Sequence, residues 1–150
     1  MTASIGRALR GAVCGLGATL AMSGVMLATQ RMIGKQPPQR IVETGMEAAG
    51  VPDPDRVEPA TSALAVAAHL GYGTLLGALF ALARPRRVSP LGGVAFGVLV
   101  WAANYAGVLP ALGIMPPPGR DRPGRQPAIV ASHLVYGGVL SAMLRRLGGP

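Results

Sequence analysis

Four stretches of the chain carry no charged side chain: Gly11–Gln30, Pro59–Ala83, Val88–Gly119 and Gln126–Leu144. Their lengths of 20, 25, 32 and 19 residues match the roughly 20 apolar residues that a helix needs to cross a hydrocarbon core. Pro110 and the prolines at 116–118 shorten the usable part of the third. The pattern predicts spans at about 10–30, 61–83, 89–110 and 127–145. A secretory signal is the rival reading of the first run, with Arg7 and Arg10 as its basic region and Ala21–Ser23 as a cleavage site. The run continues past that point to Ala28, which favours a retained span.

The longest polar segment is 31–58. Within it Ile41, Val42, Met46 and Ala49 share one helical face, while Arg40, Glu43 and Glu47 lie on the other. Pro37–Pro38 suits a helix start and Gly50 a stop. A short amphipathic helix lying along the interface fits this pattern, and so does a loop helix packed on the bundle.

The second and fourth runs repeat each other. AVAAHLGYGTLLGALF (65–80) aligns without gaps on IVASHLVYGGVLSAML (129–144), sharing His69/His133, Tyr72/Tyr136 and Gly73/Gly137 at an offset of 64. Upstream of each lies Gly-x-x-Pro-Pro followed by Arg, at 34–40 and 113–120. Alanine and glycine matches arise easily by chance, but His, Tyr and paired prolines do not. The expected unit is therefore helix, proline loop, helix, present twice. An even number of spans per unit makes the copies parallel repeats. The fold expected is an all-α bundle of four transmembrane helices, a single domain. Its first repeat covers about 8–84 and its second about 88–147, with the short helix in the first loop.

Small residues recur four apart at Gly11/Gly15, Gly73/Gly77, Gly93/Gly97 and Gly137/Ser141. That spacing puts them on one helical stripe and lets backbones approach closely, which is how helices associate in lipid. His69 and His133 continue the stripes of the second and fourth helices and should point inward. Tyr72, Tyr136, Asn104 and Tyr105 join them as a candidate polar layer in the outer half of the bundle. Thr19, Ser23 and Thr29 are further candidates for it. Each histidine is expected to have a polar neighbour among Tyr72, Tyr136 and Asn104.

Composition agrees with the hydropathy. Half the residues are apolar and only 13% are charged, against about 25% in soluble domains. The net charge of +8 would suit nucleic acid, but the arginines sit at the ends of apolar runs rather than on a face with aromatic readers between them. Nucleic acid is not an expected partner. The bilayer is, with a second copy of the chain or another membrane protein as the open alternatives. If both termini are cytoplasmic, Arg7, Arg10, Arg84, Arg86, Arg87, Arg145 and Arg146 lie inside. Arg31, Lys35, Arg40, Arg56, Arg120, Arg122 and Arg125 then lie outside among the six acids. The positive-inside count is balanced; the tight packing of the inner arginines against the span ends favours termini inside. Cys14, the only cysteine, is expected to be a small packing residue.

No Asp, Glu or Lys falls within a span, and no nucleophile–base set or phosphate loop is visible. Ser132 and His133 are adjacent in sequence and so diverge on a helix. No enzyme activity, metal or cofactor is expected, although two histidines on separate helices leave haem ligation open. The functional alternatives are a structural, stress-related or partner-binding role, or a small transporter or proton-linked pathway through the paired histidines.

The run from His69 through GALFALARP, GGVAFGVLVWAANYAGVLPALGIMPP and SHLVYG resembles the YagU-like bacterial inner-membrane proteins, over about residues 60–144. The resemblance implies an integral, multi-pass inner-membrane protein without an established molecular activity. It carries no catalytic residues over and gives no guidance for 31–59.

Overall fold

The structure is a computed structural model that describes residues 2–34, 37–51, 58–83 and 88–147. Lys35, Arg56 and the arginines at 84, 86 and 87, used above for orientation, lie outside the described residues. The described residues form helices joined by turns: α1 (Thr2–Ala28), α2 (Gln30–Ile33), α3 (Pro37–Ala48), α4 (Glu58–Ala83), α5 (Pro90–Trp101), a π-helical stretch (Ala102–Val108), α6 (Leu109–Ala111), a 3-10 turn (Pro118–Arg120) and α7 (Arg125–Leu147). Four helical segments are long and apolar enough to cross a membrane: Thr2–Ala28, Ser62–Ala83, Pro90–Ala111 and Arg125–Leu147.

The helix ends differ from the charge-free runs in two places. α1 starts at Thr2, well before the first uncharged residue, and takes Arg7 and Arg10 into its opening turns. Charge marks the edge of the hydrocarbon core, not the end of a helix. The third span passes through Pro110. Proline has no N–H and its ring clashes with the carbonyl four residues back in a regular helix. Here it follows directly on the widened π-helical stretch, where Leu109 N–H bonds back to Asn104 O. The start of α5 is conventional: Pro90 occupies the first turn, and Ser89 Oγ accepts the Gly92 N–H at 2.9 Å.

The helices alternate in direction, and three of the four seams around the bundle are close-packed. On the first, between α1 and α4, a Cβ on Gly77 would fall 2.6 Å from Gly15 Cα, and one on Gly15 would fall 2.5 Å from Gly73 O. On the second, between α5 and α7, a Cβ on Gly137 would fall 3.1 Å from Gly97 N and would also meet Gly93 O. The third joins α1 to α7; there Arg10 donates to Leu147 O at 3.5 Å, and Cys14 and Ala18 of α1 are fully buried.

The first two seams are the two copies of the repeat. Gly73 and Gly77 stand where Gly137 and Ser141 stand; Gly15 meets Gly73 and Gly77 as Gly93 meets Gly137 and Ser141, and Thr19 faces Gly73 as Gly97 faces Gly137. The first helices of the units thus correspond at an offset of 78 (Gly15 to Gly93), against 64 (Gly73 to Gly137) for the second helices. α3 lies in the longer loop of the first unit. The echo before the prolines is conformational as well: Gly34 and Gly113 close their helices at φ of 69° and 70°, a left-handed geometry that favours glycine.

The fourth seam is different. α4 and α5 meet through side chains, with Phe80 and Phe96 ring centroids 4.6 Å apart, while their backbones do not run close together as in the other three seams. α3 packs on α4 beside this opening. Val42 is buried, and Ile41 remains 44% exposed. Of the two readings of the first loop, packing on the bundle is therefore realised.

Candidate functional site

Between the helices, next to the open seam, lies a cavity of about 330 Å³. That is at the lower end of the roughly 300–1,000 Å³ of small-molecule pockets. Every spanning segment contributes to it. α1 supplies Thr19, Met22 and Met26; α4 supplies Ala68, His69, Tyr72, Gly73 and Leu76. The third span supplies Val100, Asn104, Tyr105 and Leu109, and α7 supplies Ile129, His133 and Tyr136. Pro37, Pro38 and Ile41 of α3 close one end. The walls are mainly apolar, and Tyr72, on the α4 side of the fourth seam, is 46% exposed.

All six residues of the expected polar layer line this one cavity. Asn104 and Tyr105 are neighbours in sequence and would diverge by about 100° on a regular helix. Both fall within the π-helical stretch and both reach the wall. Bulges of this kind frequently occur at functional sites. Thr19 belongs to the lining. Ser23 and Thr29 do not, and the Thr29 hydroxyl donates to Val25 O at 2.7 Å.

The hydrogen bonds differ from those expected. Neither histidine pairs with a tyrosine or with Asn104. His133 Nδ1 lies 2.8 Å from Ile129 O. A carbonyl can only accept, so Nδ1 carries the proton, and in the neutral ring Nε2 is an acceptor. His69 Nε2 is buried without a hydrogen-bond partner among the described residues. Both rings line the same cavity. Tyr72 and Asn104 satisfy each other across the open seam, with Asn104 Nδ2 donating to the Tyr72 oxygen at 3.0 Å and to Val100 O at 2.8 Å. Tyr136 donates to Gly73 O at 2.8 Å and is only 2% exposed. The tyrosines took the partners within their reach, a backbone carbonyl and an amide, and the histidines were left with their own helix or with none.

Tyr72 and Tyr136 are equivalent in the repeat but not in the fold. Tyr136 sits on α7, which has close neighbours on two sides; Tyr72 sits on α4, beside the open seam. Tyr105 is 1% exposed, its hydroxyl lacks a partner among the described residues, and its ring stacks 6.3 Å from Trp101.

Sequence reasoning missed the apolar walls, Met22, Met26, Leu109 and Ile129. These look like any other residues of an apolar span, and no local signal marks them. It also missed a buried ion pair, Arg125 Nη1 to Asp121 Oδ1 at 3.1 Å, at the start of α7. Here a signal existed: the two charges stand four apart, the spacing of a helical pair.

The chain belongs to the family described as "Family of unknown function (DUF6789)", whose model matches residues 5–150. The match lends no support to the YagU-like resemblance. No curated protein and no solved structure matches the chain.

Proposed function

We propose that this DUF6789 member is a non-enzymatic protein of the cell inner membrane that binds a small, mainly apolar partner molecule in the interhelical cavity, taken up from the bilayer between α4 and α5. One observation carries this reading: the cavity is bounded by all four spans but closed on only three seams, so its free side faces the lipid region. The non-enzymatic part is supported by the state of the hydroxyls. Those of Thr19, Ser132 and Ser141 each donate to a carbonyl of their own helix, at 2.7, 2.7 and 2.9 Å. Such hydroxyls are not held by a general base as activated nucleophiles are.

The test uses nonylbenzene as a neutral lipophilic probe. Purified protein in nonionic detergent, examined by native mass spectrometry, should show one adduct per chain at saturation. Val100→Phe, which fills the wall beside the seam, should remove the adduct. An adduct unaffected by that substitution would place the probe elsewhere and end the cavity reading.

The paired histidines favour a second reading, a small transporter or proton-linked pathway, because both rings line the same cavity. Under the binding reading, proteoliposomes given a pH gradient should acidify no faster than protein-free vesicles. Faster acidification that His69→Gln and His133→Gln abolish would transfer the assignment to a proton pathway, since an amide does not titrate near neutral pH.

The orientation proposed is both termini in the cytoplasm. Reporter fusions after Arg86 should then read inside, and fusions at Asp53 or Arg122 outside. The reverse pattern would invert the protein and place α3 on the cytoplasmic face.

A further inference from the structure

The cavity's polar groups divide into two sets. Four of the seven polar side chains in its wall are engaged within the protein: Thr19 with Gly15 O, Tyr136 with Gly73 O, and Tyr72 with Asn104. Three are not fully engaged. His69 Nε2 and the Tyr105 hydroxyl are buried without a partner among the described residues. His133 has Nδ1 tied to Ile129 O, which leaves Nε2 as an acceptor. A buried polar group without a partner is unfavourable, and buried polar groups in native proteins are nearly always paired. Two such groups and the open His133 Nε2 acceptor, gathered on one small apolar cavity, form a recognition pattern.

Resting on the cavity reading above, we infer that the occupant is an amphiphile with a hydroxyl at its polar end, an alcohol or a phenol on an apolar chain. The hydroxyl is the smallest neutral group that matches the pattern. It donates its O–H to His133 Nε2 and accepts the Tyr105 O–H on its oxygen, with His69 as the neighbouring group. A charged head does not fit, because among the described residues no cation lines the wall to balance an anion and no carboxylate lines it to balance a cation. Met22, Met26, Leu76 and Ile129 enclose the chain. Entry between α4 and α5 brings the molecule past the Tyr72–Asn104 pair, whose groups are already satisfied and do not hold it.

Three probes of the same length separate the claims: 4-nonylphenol, 4-nonylanisole and nonylbenzene, each titrated into the full chain in nonionic detergent. The phenol donates and accepts, the anisole only accepts, and nonylbenzene does neither. The phenol should bind at least about tenfold more tightly than either of the others, because a site built around a hydroxyl discriminates strongly against analogues that lack it. His133→Leu should bring the phenol down to the level of the anisole, and Tyr105→Phe should weaken phenol and anisole alike, while nonylbenzene binding is retained in both, which reports that the variants are folded. His133→Gln keeps an acceptor and should keep most of the preference. Equal, saturable binding of all three probes would overturn this inference and leave the cavity reading standing. Equal phenol and anisole, both tighter than nonylbenzene, would remove the donation to His133 and overturn it as well. Saturable binding of none would overturn the cavity reading itself.

Discussion

Gly77→Ala and Gly137→Ala are expected to destabilise the bundle more than any other single-methyl change in the chain. A methyl at Gly77 would stand 2.6 Å from Gly15 Cα and 2.9 Å from Gly15 N, and one at Gly137 would stand 3.1 Å from Gly97 N. These neighbours are backbone, which cannot rotate away as a side chain does. The helices must separate along the whole seam, and separation forfeits the close packing that holds helices together in lipid. Overpacking a well-packed site costs about 1–3 kcal/mol, and with backbone as the obstacle both changes should reach the upper end of that range. Leucine at Gly73 or Gly77 should prevent assembly.

The controls lie close by. At Gly71 and Gly138 a methyl would meet nothing within 4 Å, so alanine there should be neutral or stabilising by up to about 0.5–1 kcal/mol, the helix-propensity difference. Phenylalanine at Leu75 or Leu79, which are 55% and 50% exposed, should also be mild. Unfolding in mixed micelles with increasing dodecyl sulfate reads all of these on one scale. Equal tolerance at the seam glycines and at the controls would show that the seams are not the source of stability.

Removing the charge of Asp121 should be the most damaging change outside the spans. Asp121 Oδ1 accepts from Arg125 Nη1 at 3.1 Å and from the Arg122 backbone N–H at 2.7 Å. The Arg125 side chain is 9% exposed and that of Asp121 is 2% exposed. Arg125 opens α7, where the helix dipole already disfavours a positive charge. Asp121→Asn keeps the shape but removes the carboxylate charge that faces the buried guanidinium. The loss should be about 1.5–3 kcal/mol, the worth of a hydrogen bond to a charged group. Arg122→Gln, on an exposed side chain, should shift stability by no more than about 0.5 kcal/mol. The same micelle titration reads both, and an Asp121→Asn protein as stable as the parent would show that the pair is electrostatically idle.

Much of this architecture could be read from the residues. A charge-free run of about 20 residues and a small-residue pair four apart are properties of neighbouring positions, so the sequence carries them directly. The same holds for the duplication, because His, Tyr and a proline pair do not recur at one offset by accident. From these features follow the four spans and the small-residue stripes they pack through, and the six polar side chains expected in one layer are residues that line the cavity. The correspondence of the first helices at 78 (Gly15 to Gly93) was not legible, because on the seam only that glycine matches and it has meaning only when its partners are known.

The residues alone thus specified the content of each helix and the small-residue stripe it packs through. How the two units meet was settled by the packing of the whole chain. An ideal two-fold arrangement would pack α4 against α5 as closely as α7 packs against α1, and the chain does only the second. That single departure makes the cavity, exposes Tyr72 while burying Tyr136, and leaves His69, His133 and Tyr105 around a space instead of against one another. Matching His-Leu-x-Tyr-Gly segments carry matching local preferences, but a side chain's burial and partners are set by the helices around it, and those differ between the second span and the fourth.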